Sequence, residues 1–247
     1  MITGIVVALP EELSTLTAKK MAKGQLIYLS ESIVVAYSGS GANNASAAAL
    51  LLIANGATRL ISWGCAGGLA PNINSGDLML ANSLISVDGN TDVTESITKT
   101  WHTNTHQHLT HHVTLHCGLL AESADIVSSS IAKQSLHQQT GALAVDMESI
   151  AVAKIALQHK HPFLVIRSIV DPVNLDLPVA ISQSLNAEGD VVMRKLLVFI
   201  LRNPKEIPAL IKLGQHFNAS KNTLKVIAKH LNYITDHNFL TVNNTPV

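Results

Sequence analysis

A surplus of either charge is missing from this sequence. Its 17 Lys and Arg balance 17 Asp and Glu over 247 residues, so no bulk field marks DNA or RNA as the partner. Cysteine is scarce. Cys65 and Cys117 are too few for a disulfide framework and neither lies in a Cys-x-x-Cys pair, which excludes a small cross-linked secreted scaffold and fits a reducing cytoplasm. Long hydrophobic runs are also lacking: the longest, Ala47 to Ala54 and Leu196 to Leu201, fall far short of the roughly 20 residues of a spanning helix. The apolar first residues carry no leading Lys or Arg and stop at Pro10-Glu11-Glu12, too short for a signal-peptide core. What is present is apolar bulk. With 47% hydrophobic and 14% charged residues, the chain suits a single domain over 1–247.

Periodicity predicts strands and helices in alternation. Ile2 to Leu9 and Ser32 to Tyr37 are β-branched runs, the second ending in Ser38-Gly39-Ser40-Gly41. Asn43 or Asn44 can cap an alanine-rich helix that closes at Asn55-Gly56. Strands are expected at Arg59 to Trp63, Asp77 to Ser86, Val113 to Leu120, Ala142 to Met147 and Phe163 to Val170. Helices are expected at Glu95 to His112, Ser130 to Gln139 and Glu148 to His159. This order implies an α/β fold of three layers: a twisted mixed β-sheet over 1–175 flanked by helices. From about residue 189 strand signals vanish, and a helical extension to 235, broken at Pro204 and Pro208, precedes a loose tail, 236–247. Arg194, Lys195, Arg202, Lys205, Lys212, Lys221, Lys225 and Lys229 stand against Glu206 there, a local charge of +7.

In such sheets ligands gather outside the carboxyl ends of the strands. The turn from Gly39 to Asn44 lacks the third glycine and the later acidic residue of a dinucleotide site. It still aims main-chain N–H groups at one spot, as does Gly64-Cys65-Ala66-Gly67-Gly68. Ser40, Gly41, Cys65, Ala66 and Gly67 are therefore candidates for holding phosphate or water. The Cys65 thiol itself reads better as a small packed side chain than as a nucleophile. Asp146 and Glu148 lie two apart where a strand passes into a helix. Asp146 suits a helix cap, whereas the Glu148 carboxylate suits a vicinal diol, with Met147 offering an apolar surface to a sugar face. Asp171, before Pro172, and Glu12, after the first strand, occupy the same rim. Carboxylates converging from separate segments are a signature of acid–base chemistry.

His102, His106, His108, His111, His112 and His116 crowd one region. The spacing of His108, His112 and His116 fits one helix face, but the expected change to strand near Val113 breaks it, and no carboxylate is expected beside them. No metal or other cofactor is predicted, phosphate being at most a co-substrate.

Three motifs, Gly-Cys-Ala-Gly-Gly-Leu-Ala-Pro (64–71), Val-Asp-Met-Glu-Ser (145–149) and Arg-Ser-Ile-Val-Asp (167–171), resemble the nucleoside phosphorylase and nucleosidase superfamily over residues 1 to about 175. The helical end with Arg-Asn-Pro-Lys-Glu-Ile-Pro-Ala-Leu-Ile (202–211) is similar to the hopanoid-associated phosphorylase branch, which is linked to removing adenine from adenosylhopane. The resemblance implies cleavage of a purine nucleoside. Asp171 would protonate or hydrogen-bond the purine, Met147 and Glu148 would bind ribose, main chain at Ile126 and Val127 would line the base pocket, and Glu12 would sit by the nucleophile. It also implies a homo-oligomer. Two alternatives stand beside it: a methylthioadenosine/S-adenosylhomocysteine nucleosidase-like hydrolase, and a catalytically silent nucleoside-binding protein. Water and phosphate both remain open as nucleophile, since the glycine turns hold no Arg or Lys yet a helix N-terminus binds phosphate through main chain. A lipid-linked nucleoside would give the basic 194–229 helices a purpose, as a peripheral contact with anionic headgroups.

Overall fold

A computed structural model describes residues 1–87, 97–186 and 191–236. The described strands are β1 (Ile2–Val7), β2 (Gln25–Ser30), β3 (Ile33–Tyr37), β4 (Ala57–Gly68), β5 (Leu78–Ser86), β6 (Leu115–Glu122), β7 (Ala144–Asp146) and β8 (Phe163–Ile169). They form one mixed sheet in the order β2-β3-β1-β4-β7-β6-β5-β8. The long strand β4 shapes it. Most of β4 pairs in parallel with β1 and β8, but its last residues, Gly67 and Gly68, turn to pair antiparallel with β7. Because β8 also pairs with β5, and β6 lies between β5 and β7, those five strands close on one another.

The described helices are α1 (Pro10–Leu13), α2 (Ala42–Ala54), α3 (Lys99–Leu109), α4 (Ser130–Thr140), α5 (Ser149–Gln158), α6 (Val179–Ser182), α7 (Met193–Arg202), α8 (Ile207–Ala228) and α9 (Leu231–Ile234). They cover both faces. On one side Ala45, Leu52, Ile150 and Ala153 of α2 and α5 pack against Val34, Leu60 and Val165. On the other, Trp101 and Leu109 of α3, with Leu224, Ile227, Leu231 and Ile234 of α8 and α9, meet Ile5, Ile61, Trp63 and Leu164. Alternate strand residues thus feed two cores, which is the three-layer mixed α/β arrangement expected from the order of elements.

Several local expectations change. Strand β2 is unforeseen, because an edge strand facing solvent along one side, Gln25-Leu-Ile-Tyr-Leu-Ser30, carries a weak apolar pattern. Strand β4 continues through the glycines to Gly68, five residues past Trp63, and β1 stops at Val7. Helix α2 is capped by Gly41 at φ 91° rather than by Asn43 or Asn44; Asn44 Nδ2 instead donates to the Ser40 carbonyl at 2.7 Å. Helix α3 ends at Leu109, and its expected start at Glu95 lies outside the described residues, as does 237–247 of the tail. Pro208 does not break a helix but opens α8, where its missing N–H costs nothing.

The C-terminal helices divide into two kinds. Helices α8 and α9 complete the second core, whereas α7 buries no residue and exposes Leu197 and Leu201, the latter 83% accessible. No helix among the described residues is long and apolar enough to cross a membrane.

Candidate active site

The site grows from Gly64, midway along β4. A Cβ placed on it would lie 2.4 Å from both Glu12 Oε1 and Arg167 Nη1, so only glycine lets that carboxylate and guanidinium meet over the strand. Glu12 arrives from α1, directly after β1. Its Oε2 accepts the N–H groups of Ala8 and Leu9 at 3.0 Å each and its Oε1 accepts that of Cys65 at 2.8 Å. Burial nevertheless raises its pKa above the ordinary carboxylate value, with Arg167 and the three N–H groups opposing.

Arg167, on β8 beside β4, is 1% exposed. Its Nη2 lies 2.7 Å from Asp146 Oδ2, 2.8 Å from Ser62 Oγ, 3.1 Å from Ser149 Oγ and 3.8 Å from Glu148 Oε2. Burial would make it less basic, but Asp146, Glu148 and Glu12 together raise its pKa. Asp146, at the end of β7, also accepts Ser149 N at 3.3 Å, but the N-cap position of α5 is Glu148, so Asp146 is the partner of Arg167 rather than the cap expected from the sequence.

Glu148 immediately precedes α5. Its Oε1 accepts the Gly41 N–H at 3.0 Å, across 107 residues of chain. Burial pushes its carboxyl up to about 7, against the pull of Arg167 and with the push of Asp146. Glu122 secures this corner by accepting Ile150 N at 2.6 Å and Ala151 N at 3.2 Å, which holds the first turn of α5 in place. Met147, half-buried, stands between Asp146 and Glu148.

Asp171 follows β8 and packs over Gly67, three residues along β4 from Gly64. Its carboxylate meets Lys133 Nζ at 2.5 Å. That nitrogen, fully buried in α4, also donates to the carbonyls of Leu175, Pro172 and Asp171 at 2.8, 3.3 and 3.4 Å. Burial raises the Asp171 pKa and Lys133 works against it. A carboxyl so placed can give up a proton and have the resulting charge met at once. The loop from β6 to α4 carries Ile126 and Val127, both half-buried, and Val127 packs with Val145 and Leu69 near the end of β7.

The profile of the Phosphorylase superfamily matches residues 3–194. The chain belongs to the phosphorylase superfamily. A relative from Staphylococcus epidermidis, a 5'-methylthioadenosine/S-adenosylhomocysteine nucleosidase, is 28% identical over 216 residues, spanning 74% of this chain and 92% of that protein. Two Helicobacter pylori structures share the fold. A mutant 5'-methylthioadenosine/S-adenosylhomocysteine nucleosidase with 5'-methylthioadenosine in its active site has a TM-score of 0.67 and 19% identity, covering 94% of this chain and 97% of that one. Futalosine hydrolase has a TM-score of 0.62 and 20% identity, covering 92% and 97%.

In this member of the phosphorylase superfamily, an enzyme rather than a silent binding protein, the structure gathers Glu12, Glu148, Gly41 and the Cys65 main chain into one network. Asp171 lies further along β4, against Gly67, while burial and then Glu12 push the Cys65 thiol up. The thiol itself meets Ser220 Oγ at 3.3 Å, as a packed side chain would. The N–H groups of Gly41 and Cys65 point to carboxylates of the protein itself rather than to an open anion seat. Ser40, buried, accepts from Asn44, and Ala66 is tied by its carbonyl to Val170 N at 2.9 Å.

Two residues of the site were not singled out from sequence. Arg167 lies within the strand expected at Phe163 to Val170, yet its spacing of four from Asp171 puts both on one side of an extended chain. Lys133 gave no signal, being one cation in a polar helix. Arg59, at the start of β4, is remote from these groups: its Nε donates to Thr3 Oγ1 at 2.6 Å and its guanidinium lies over Trp101. The histidine reading needs correction. His116 lies on β6 and meets a carboxylate, Asp77 Oδ2, at 2.9 Å, whereas His108 and His112 come together with His230 from the far end of the chain.

Proposed function

We propose that this enzyme hydrolyses the N-glycosidic bond of an adenine nucleoside. Water adds to the anomeric carbon and gives its proton to Glu12; the bond to the purine breaks, and the electron pair leaves with the base. Asp171 supplies the proton that makes the purine a neutral leaving group, and Lys133 meets the carboxylate left behind. Glu148 accepts the ribose hydroxyls, Met147 packs on the sugar, and main chain at Ile126 and Val127 lines the base. Positive charge developing on the sugar ring is favoured by Glu12 and Glu148.

The observation that carries this reading is the ring of three carboxylates around Arg167. The guanidinium that a phosphate dianion would seek is already paired with Asp146 and lies beside Glu148, so a dianion would have to compete with carboxylates tied into the fold, whereas water would not. Purified protein would be incubated with adenosine, 5'-methylthioadenosine and S-adenosylhomocysteine, with and without phosphate. Free adenine and ribose sugar without phosphate are expected. Release of ribose 1-phosphate that requires phosphate would overturn hydrolysis.

Phosphorolysis is the second reading, with phosphate as co-substrate at Ser40, Gly41, Cys65, Ala66 and Gly67. One feature favours it: Ser40 and Gly41 lead into the N-terminus of α2, where main-chain N–H groups suit an anion.

For the substrate we favour a lipid-linked nucleoside, adenosylhopane, over the soluble alternatives. Supporting this, α7 exposes Met193, Leu197 and Leu201 next to Arg194, Lys195 and Arg202, and α8 exposes Ile207 and Ile211. Such a face suits an anionic membrane surface. Sedimentation with vesicles of anionic and zwitterionic lipid tests it; equal or salt-independent binding would remove this part of the proposal. The homo-oligomer implied by the resemblance is read by light scattering.

A further inference from the structure

We propose that His108, His112 and His230 form a binding site for a divalent transition-metal ion of the zinc or nickel kind, on the opposite end of the C-terminal helices from α7. Each offers one ring nitrogen, and the three nitrogens lie within 4.8 Å of one another. His108 Nε2 and His230 Nδ1 are 2.9 Å apart; the ring centres of His112 and His230 are 4.1 Å apart and those of His108 and His112 are 5.3 Å apart. An ion bound at about 2.0–2.1 Å in tetrahedral geometry sets its nitrogen ligands about 3.4 Å from one another. The closest pair need part by only about half an ångström and the widest close by about an ångström and a half, movements within reach of ring rotation at a half-exposed site.

The cluster is held by its surroundings rather than by chance proximity of mobile side chains. His108 is on the last turn of α3, one face of its ring stacked on Tyr233 at 3.6 Å between centres, and neighbouring Leu109 is fully buried. His112 follows in the turn after α3, where the Leu109 carbonyl accepts its main-chain N–H at 2.9 Å. His230 sits between α8 and α9, whose Leu231 and Ile234 are anchored in the core.

A metal here would link positions 122 residues apart and fix the α8–α9 junction to the core. Helix α8 reaches the active site: Ser220 Oγ donates to the Ser168 carbonyl and meets Cys65 Sγ, and Thr223 Oγ1 donates to the Gly76 carbonyl at 2.6 Å. The ion is therefore a staple for the helix beneath the catalytic strands and has no part in the bond cleavage.

The full chain, freed of metal by chelator and dialysis, would be titrated at pH 7.5 with Zn²⁺ and with Ni²⁺ by calorimetry, and its melting temperature followed with and without each ion. One equivalent per chain and a raised melting temperature are expected. His112→Ala alters an exposed side chain and leaves the fold intact; it should weaken binding roughly 100-fold or more, since even outer partners of a metal ligand are worth 10- to 100-fold. A His159→Gln, His161→Gln double variant, removing a second neighbouring histidine pair, should bind as the parent does. If His112→Ala and His230→Ala bind either ion as tightly as the parent, or if the parent binds neither, the site does not exist.

Discussion

Replacing Glu148 by Gln should stabilise the protein at alkaline pH while damaging its activity. The Glu148 carboxyl is held at about 7 against an ordinary value of 4.5, chiefly because burial penalises its charge. A carboxylate whose folded pKa is raised binds a proton more readily when folded. Its contribution therefore costs nothing below about pH 4.5, grows through the interval and is fully felt above about pH 7. At about 1.4 kcal/mol per pKa unit the full cost is about 3 kcal/mol. Glutamine is isosteric with the protonated acid, and its carbonyl oxygen can accept the same Gly41 N–H. Denaturant titrations of parent and variant from pH 4.5 to 8.5 should give equal stabilities at the acid end and a variant about 3 kcal/mol more stable at the alkaline end. For a chain of this size that is a melting temperature higher by about 6–12 °C. Activity should fall on the order of 10- to 100-fold, the worth of a hydrogen bond to a charged acceptor. A difference in stability that does not change with pH, or a variant weaker than the parent at pH 8.5, would show that Arg167 outweighs burial and that the carboxylate is at ease where it lies.

Asp171→Asn should lower adenine release by about 10²- to 10⁴-fold with little change in KM, because it removes the proton donor and keeps the shape; an unchanged kcat in a discontinuous adenine assay would assign the acid elsewhere. Lys133→Met leaves Asp171 unpaired in the interior and should cost about 3–5 kcal/mol in urea unfolding, part of which Asp171→Asn recovers in the double variant. Strict additivity of the two changes would deny the coupling. Gly64→Ala drives a methyl group into Glu12 and Arg167 and should reduce kcat/KM by at least about 10²-fold, measured on whichever nucleoside is cleaved. A fully active alanine variant would mean that neither group needs its present position.

Much of this was legible in residues whose meaning is local. Strand ends, glycine turns and helix starts announce themselves by composition, so Glu12, Glu148 and Asp171 could be placed on one rim before any coordinates. Their roles needed the family motifs, since each alone resembles an ordinary cap or turn. Other features depend on contacts distant in sequence. Lys133 reads as one more surface cation, and only the return of the 171–175 chain around it makes it a buried partner. The second half of the basic extension looked like an appendix because its apolar positions are sparse, yet Leu224 and Ile227 close the second core. His230 lies 122 residues from His108, a distance over which no periodicity carries information.

The glycine turns illustrate the same limit and bear on the nucleophile. From sequence, Gly41 and Cys65 are N–H donors suited to phosphate or to water, with neither preferred. In the structure the anions are already there: Glu148 takes the Gly41 N–H and Glu12 takes that of Cys65. These main-chain donors help carry the cost of burying two acids beside a third, Asp146, around a single guanidinium. A phosphate dianion entering at this point would have to displace carboxylates tied into the fold and meet the excess negative charge they leave. Water need displace nothing, and on the proposed reading its proton goes to Glu12, whose pKa burial raises. The feature that kept phosphorolysis open, main-chain N–H groups gathered at two turns, thus becomes a reason to favour hydrolysis once the identity of what they bind is known.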